Sequence, residues 1–166
     1  AEQANASITV RYGDTVVLAT AVMSSSAREG GNYFPLMVDY EEKFYASGKI
    51  KGSRFIKREG RPTDEAVLNG RLIDRTLRPL FDQRMRNEVQ VIVTVLSIDQ
   101  ENDPALAGTI ATSTALAISD IPWNGPVGAV RVGEKEEKII INPTNGDLDA
   151  SSFDIFACGI EGKINM

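Results

Sequence analysis

Residues 88–98, EVQVIVTVLSI, are the most strongly β-patterned stretch of the chain, with valine at every second position from 89 to 95. A period of two puts one set of side chains on each side of an extended backbone, and no helical face matches it. A strand bonds only sideways, so a chain that contains this one must also supply its neighbours. Residues 6–12, ASITVRY, and 15–23, TVVLATAVM, read as a β-hairpin across the tight Tyr12-Gly13-Asp14 turn. The second arm is almost continuously apolar, which predicts a central strand buried on both faces. Residues 24–32, SSSAREGGN, are loop by composition, and 35–42, PLMVDYEE, add a third strand to the same sheet.

Three further strands are expected at VGAVRV (127–132), KIIIN (138–142) and FDIFACGI (153–160). The turn Gly133-Glu134-Lys135-Glu136 should join the first two, and a loop holding Asp147 and Asp149 the last two. Asp103-Pro104 opens a helix, ALAGTIATSTALAIS, whose small side chains permit close packing on a sheet. Gly108 within it costs ~1 kcal/mol against alanine, which tight packing can offset. Trp123, in the rigid IPWNGP loop, reads as a lid on the core. The fold class is therefore α+β: a mixed β-sheet with packed helices, in one domain over residues 1–166. The chain starts in mid-pattern at Ala1 and reaches Met166 while still strand-like, so the domain is expected to be incomplete at both ends.

The densest positive charge lies between these strands, in residues 52–81, GSRFIKREGRPTDEAVLNGRLIDRTLRPLF. Arg54, Lys57, Arg58 and Arg61 crowd around Phe55, and Glu59 alone offsets them. A helix follows, with Thr63 as N-cap, Asp64 and Glu65 in its first turn, and Pro79 as its stop. At ~100° per residue Arg71, Arg75 and Arg78 share one face while Ala66, Gly70, Ile73 and Leu77 share the other. Such arginines can follow a row of phosphates or contact a neighbouring subunit, or can simply form a solvated face in which Asp74 pairs with Arg78.

Composition narrows the classes. The net charge is −5 and the pI about 4.8, which excludes a generally basic nucleic-acid binder and leaves a basic patch on an acidic body. Histidine is absent, which removes Ser-His and Cys-His catalysis and most transition-metal sites. Asp39, Glu41 and Glu42 form a solvated strand end rather than a metal site, since hard cations need several converging oxygens. Cys158, the single cysteine, lies in an apolar run and reads as structural filler in a reducing, cytoplasmic setting. There is no run of about 20 apolar residues and no signal-like start, so no membrane partner is expected.

Four blocks, YGDTVVLATAVMS, FIKREGRPTDEAVLNGRLIDRTLRPLF, NEVQVIVTVLS and ALAISDIPWNGPVGAVRVG, resemble the first RNase PH-like core domain of the bacterial polynucleotide phosphorylase family. The resemblance covers nearly the whole chain. It implies an RNase PH-like fold within a phosphorolytic 3′-to-5′ exoribonuclease, which uses inorganic phosphate on single-stranded RNA and releases nucleoside diphosphates in mRNA degradation. It also implies a homotrimeric ring in which this core accompanies a second core of the same polypeptide. The family's constriction loop aligns with residues 55–62, and RNA contact is carried over to Phe55, Lys57, Arg58 and Arg61. Two positions depart from its pattern: Ile56 replaces a second phenylalanine, and Arg54 is extra.

The family's second core carries a serine run at a helix start and an Asp-x-Lys pair near Mg²⁺. Here the helix start is Asp103-Pro104-Ala105, and Phe156 stands two after Asp154. The resemblance thus implies a non-catalytic, RNA-guiding core with no catalytic residue and no metal ligand, the Mg²⁺ site lying outside this segment. The alternatives are a stand-alone RNA-binding or ring-assembly module, and a single-domain RNase PH-type enzyme acting on tRNA ends.

Overall fold

A computed structural model describes residues 3–28, 30–50, 52 and 60–166. Strands β1 (Ala6–Tyr12), β2 (Thr15–Ala27), β3 (Leu36–Glu42) and β4 (Asn87–Ser97) form a first sheet in the order β1-β2-β4-β3. β1, β2 and β4 run antiparallel, and β3 joins β4 in parallel at one edge, so this sheet is mixed. A second, antiparallel sheet in the order β6-β5-β7-β8 contains β5 (Gly128–Lys135), β6 (Lys138–Ile141), β7 (Asp154–Ile160) and β8 (Lys163–Ile164). Among the described residues three α-helices complete the fold: α1 (Asp64–Leu77), α2 (Pro104–Ile118) and a single turn, α3 (Asn145–Asp149).

The register explains the core. Val17, Ala19 and Ala21 of β2 lie opposite Val95, Val93 and Val91 of β4, and all six are fully buried. Helix α2 packs on this face and also meets β5, so it is held between the two sheets. Ten of its residues are buried, and its interior hydroxyls stay satisfied by turning back on the helix: Thr109 Oγ1 donates to Ala105 O (2.9 Å) and Thr112 Oγ1 to Gly108 O (2.8 Å). Gly108 is where the fit is closest, since a Cβ there would lie 3.0 Å from Val93 Cγ1. The small side chains of α2 do permit the close packing expected of them.

Four expectations need correction. β2 is covered on one face only, because both helices sit on the same side of the first sheet; its alternate residues stay half-exposed and Val22 is 38% exposed. Ser24–Ala27 is not loop: after an irregularity beyond Met23, β2 continues to pair with Asn87 of β4. The β5–β6 turn comes later, at Glu136 and Glu137, both with positive φ. The later strands do not extend the first sheet; they form one of their own.

The tight β1–β2 turn is secured from a distance. Gly13 has φ +61°, and a Cβ on it would fall 2.3 Å from Asn102 Nδ2, so both conformation and space require glycine. Asp99 accepts bonds from the Asp14, Glu101 and Asn102 amides and from Thr15 Oγ1, tying the hairpin turn to the segment before α2.

The two faces of the second sheet differ. Ala129, Phe156, Cys158 and Ile160 face inward and pack with Leu80, Val127 and Trp123. Trp123 lies against Phe81 at 6.3 Å between centroids, a lid on the core as expected. Cys158 is buried and its thiol is pushed up by that burial, in keeping with a structural role. On the outer face Val130, Ile139, Ile141, Ile155 and Ile164 are all exposed.

Candidate nucleic-acid interface

Helix α1 forms as its sequence requires. Thr63 Oγ1 accepts a bond from the Ala66 amide at 3.0 Å, and Asp64 and Glu65 occupy the positive end of the dipole. Pro79 ends the helix in a 3₁₀ turn, Arg78–Leu80. Ala66, Gly70, Ile73, Thr76 and Leu77 are buried, and Gly70 lets the helix approach β3: a Cβ there would lie 3.5 Å from Val38 O.

The three arginines do not behave alike. Arg71 and Arg75 are exposed. Arg78 turns inward, with Nη2 2.6 Å from Asp74 Oδ1 and Nε 3.1 Å from Oδ2, while Nη1 and Nη2 also donate to Phe34 O (3.3 Å) and Leu36 O (3.1 Å). Its fork is thus used within the chain, fastening α1 to the start of the edge strand. Arg71 lines a groove of about 410 Å³ between β3 and α1, shared with Asp39, Glu41 and Asp74. Asp39 accepts from Gln90 Nε2 (3.2 Å) and Glu41 pairs with Lys43 (2.9 Å).

Phe55, Lys57 and Arg58, together with Arg54 and Ile56, lie outside the described residues. Arg61, the remaining residue of the basic loop's RNA-contact set, is exposed and lines a second groove of about 480 Å³ with Lys43, Phe44, Ser47, Lys49 and Thr63. Glu42 also borders it. Its carboxyl is raised by burial and by Glu65, against the opposing hydrogen bond from Thr63 Oγ1 at 3.3 Å.

The mouth of α2 is built differently. Asp103 caps it, accepting from the Ala105 amide at 2.7 Å, and its other oxygen takes Arg131 Nη1 at 2.7 Å. Arg131 also forks onto Asp154, with Nε and Nη2 at 2.8 and 2.6 Å. The bonds to Arg131 hold the Asp154 carboxyl below the usual carboxylate range, and those to Asp154, then Asp103, raise the guanidinium further. Sequence reading missed Arg131, whose one signal is a lone cation on the inward side of an apolar strand. Among the described residues no group of three His, Cys, Asp or Glu side chains could hold a metal ion. The two carboxylates that do converge, Asp103 and Asp154, converge on a guanidinium, so the donors present do not fit Mg²⁺.

Two sheets with α2 clamped between them are the architecture of RNase PH-like proteins, and the chain belongs to that family: the family described as 3′ exoribonuclease family, domain 1, matches residues 1–122. Solved structures share the fold. An Archaeoglobus fulgidus exosome with RNA bound to the active site superposes with a TM-score of 0.77 at 16% identity, covering 100% of this chain and 72% of that one. Rice Rrp46 superposes at 0.76 and 17% identity, over 99% of this chain and 73% of that one. The sequence relatives are more particular. The polyribonucleotide nucleotidyltransferases of Roseiflexus sp. (strain RS-1) and Pseudothermotoga lettingae are 57% and 55% identical over 166 residues, which is 100% of this chain and 22% and 23% of theirs. The chain therefore spans about a fifth of the length of these relatives. No helix among the described residues is long and apolar enough to cross a membrane.

Proposed function

We propose that this chain is the RNA-guiding, non-catalytic first core of a polyribonucleotide nucleotidyltransferase, a cytoplasmic phosphorolytic 3′-to-5′ exoribonuclease that takes part in mRNA degradation. The observation that carries the non-catalytic part is the mouth of α2. A helix N-terminus is a natural seat for phosphate, but here the chain's own Asp103 carboxylate occupies it and Arg131 is committed to Asp103 and Asp154. A phosphate dianion brought there would meet two carboxylates and, among the described residues, no unengaged cation.

The RNA part rests on the basic loop and on relatedness. Cations bind any phosphate and an aromatic ring stacks on any base, as a sequence-tolerant enzyme needs, and Phe55, Lys57, Arg58 and Arg61 supply both. Arg71 and Arg75 extend the cationic surface along α1. The Archaeoglobus exosome that shares the fold carries RNA at its active site. Ring assembly as a homotrimer, a catalytic second core, its Mg²⁺ and the use of inorganic phosphate belong to the same reading.

Two measurements on the full-length protein test it. Asp154→Asn should leave phosphate-dependent release of nucleoside diphosphates within about twofold, whereas a loss of about 100-fold would put the chemistry in this core. Replacing Lys57, Arg58 and Arg61 together by alanine should weaken binding of single-stranded RNA and flatten its salt dependence. Unchanged affinity and slope would remove the loop from the RNA path.

A further inference from the structure

Three Asn-Gly pairs occur in the chain, at Asn69-Gly70, Asn124-Gly125 and Asn145-Gly146. Asparagine before glycine is thermolabile, because the glycine's backbone nitrogen can attack the asparagine carboxamide carbon with no side chain in its way. The attack makes the N–Cγ bond of a succinimide and breaks the bond from Cγ to the carboxamide nitrogen, which leaves as ammonia. Water then opens the ring at one carbonyl or the other, giving aspartate or isoaspartate. No oxidant, metal or second protein takes part. The step requires a carboxamide free to turn and a glycine amide not held in a hydrogen bond.

The fold meets those conditions unequally. Asn69 and Gly70 lie inside α1, where the Gly70 amide belongs to the helix ladder and the residue is buried against Val38 O and Tyr40. Asn145 is exposed but held: it opens α3, its amide donates to Glu101 O at 3.0 Å, and its Nδ2 donates to Gln100 O at 2.9 Å. Asn124 is exposed as well, and among the described residues neither its side chain nor the Gly125 amide makes a hydrogen bond. The glycine beside it is fixed by the fold. A Cβ on Gly125 would fall 2.2 Å from two ring carbons of Trp123, so the indole needs bare backbone against it.

We propose that Asn124 is a spontaneous deamidation site, the one Asn-Gly pair of the three that converts readily in the native fold. The product forms where it has a structural effect. The loop is fastened to the end of α1 by the Asn124 amide on Leu80 O at 3.0 Å and by Trp123 Nε1 on Leu77 O at 3.4 Å. Isoaspartate routes the main chain through a side-chain carbon between Trp123 and Gly125, and both products add a negative charge. Conversion therefore loosens the Trp123 lid over Leu80, Val127 and Cys158. The reaction is independent of any RNA-handling role.

The test incubates the full-length protein at mildly alkaline pH, natively and in urea, and follows the three pairs by peptide mapping. In urea they should convert at rates within about threefold of one another, since local sequence then governs them. In the native protein Asn124 should convert at least about tenfold faster than Asn69, whose helix must open first, and ahead of Asn145. Asn124→Ser, which keeps Gly125, should hold the urea midpoint of aged samples constant while that of the parent falls. Native conversion at Asn69 or Asn145 that equals or exceeds conversion at Asn124 would overturn the assignment. So would an Asn124 that converts in urea and stays intact in the native protein. A midpoint that falls on ageing as much in Asn124→Ser as in the parent would overturn the loosening of the lid.

Discussion

Arg131 shows how one residue can set the character of a site. It joins Asp103 at the mouth of α2 to Asp154 at the start of β7, and its side chain and that of Asp103 are only 24% and 12% exposed. Removing one member of such a set leaves a charge stranded, which costs about 3 kcal/mol, so Arg131→Ala should lower the urea midpoint of unfolding by that equivalent. Arg131→Met, which keeps an unbranched apolar stem without the charge, should recover little of it, because both carboxylates would still face each other. Asp99 works similarly through neutral donors. Burial opposes its charge, but the Asn102 backbone and side-chain N–H groups, with the Asp14 and Glu101 amides, outweigh that and hold its carboxyl well below the usual range. Asp99 and Asp154 therefore release protons more readily folded than unfolded. Their contribution is complete above about pH 4, the unfolded carboxylate value, and is lost as the pH falls through their folded values. Asp99→Asn should flatten the acid limb of a stability-versus-pH curve measured by urea unfolding; an unchanged limb would mean that the Asp99 turn opens before the fold does.

At the scale of elements, the periodic segments were legible and the assignment of their charges was not. The alternation in residues 88–98 became β4, and the Thr63 cap and the Pro79 stop both act as read, because these signals are local and depend on the backbone alone. Spacing also put Arg71, Arg75 and Arg78 on one helix face. It could not show that the carbonyls of Phe34 and Leu36, some forty residues earlier in the chain, would draw Arg78 inward. The same face thus has two jobs. Arg78→Ala should cost about 2 kcal/mol of stability by leaving Asp74 unpaired and freeing the α1–β3 seam. Arg71→Ala and Arg75→Ala should change stability by less than about 0.5 kcal/mol, as exposed positions do, and chemical denaturation of the three variants checks the contrast. The strand in VGAVRV was likewise legible, while its arginine's role was not, since Asp103 and Asp154 are distant in sequence and meet it only through the β5–β7 pairing and the packing of α2.

For the whole molecule, the second sheet poses the largest physical demand. Ile139, Ile141, Ile155 and Ile164 are each more than half exposed on its outer face. Exposed aliphatic side chains in this number on one sheet face promote association in water. Ile139→Lys with Ile155→Lys should therefore raise the concentration at which the 166-residue chain begins to self-associate in sedimentation, and an unchanged threshold would show that the face is tolerated bare. By itself the sequence determined where most of the strands and the two long helices lie, where α1 begins and ends, and that charge concentrates just before it. Those properties follow from side-chain period, capping and proline geometry, which act within a few residues. Only the tertiary structure decided that the strands divide into two sheets, that β2 is covered on one face, that Arg78 is a clamp, and that the mouth of α2 is filled by Asp103 under Arg131. Each depends on groups remote in sequence meeting in space, where burial and hydrogen bonding choose among partners that a linear pattern does not rank.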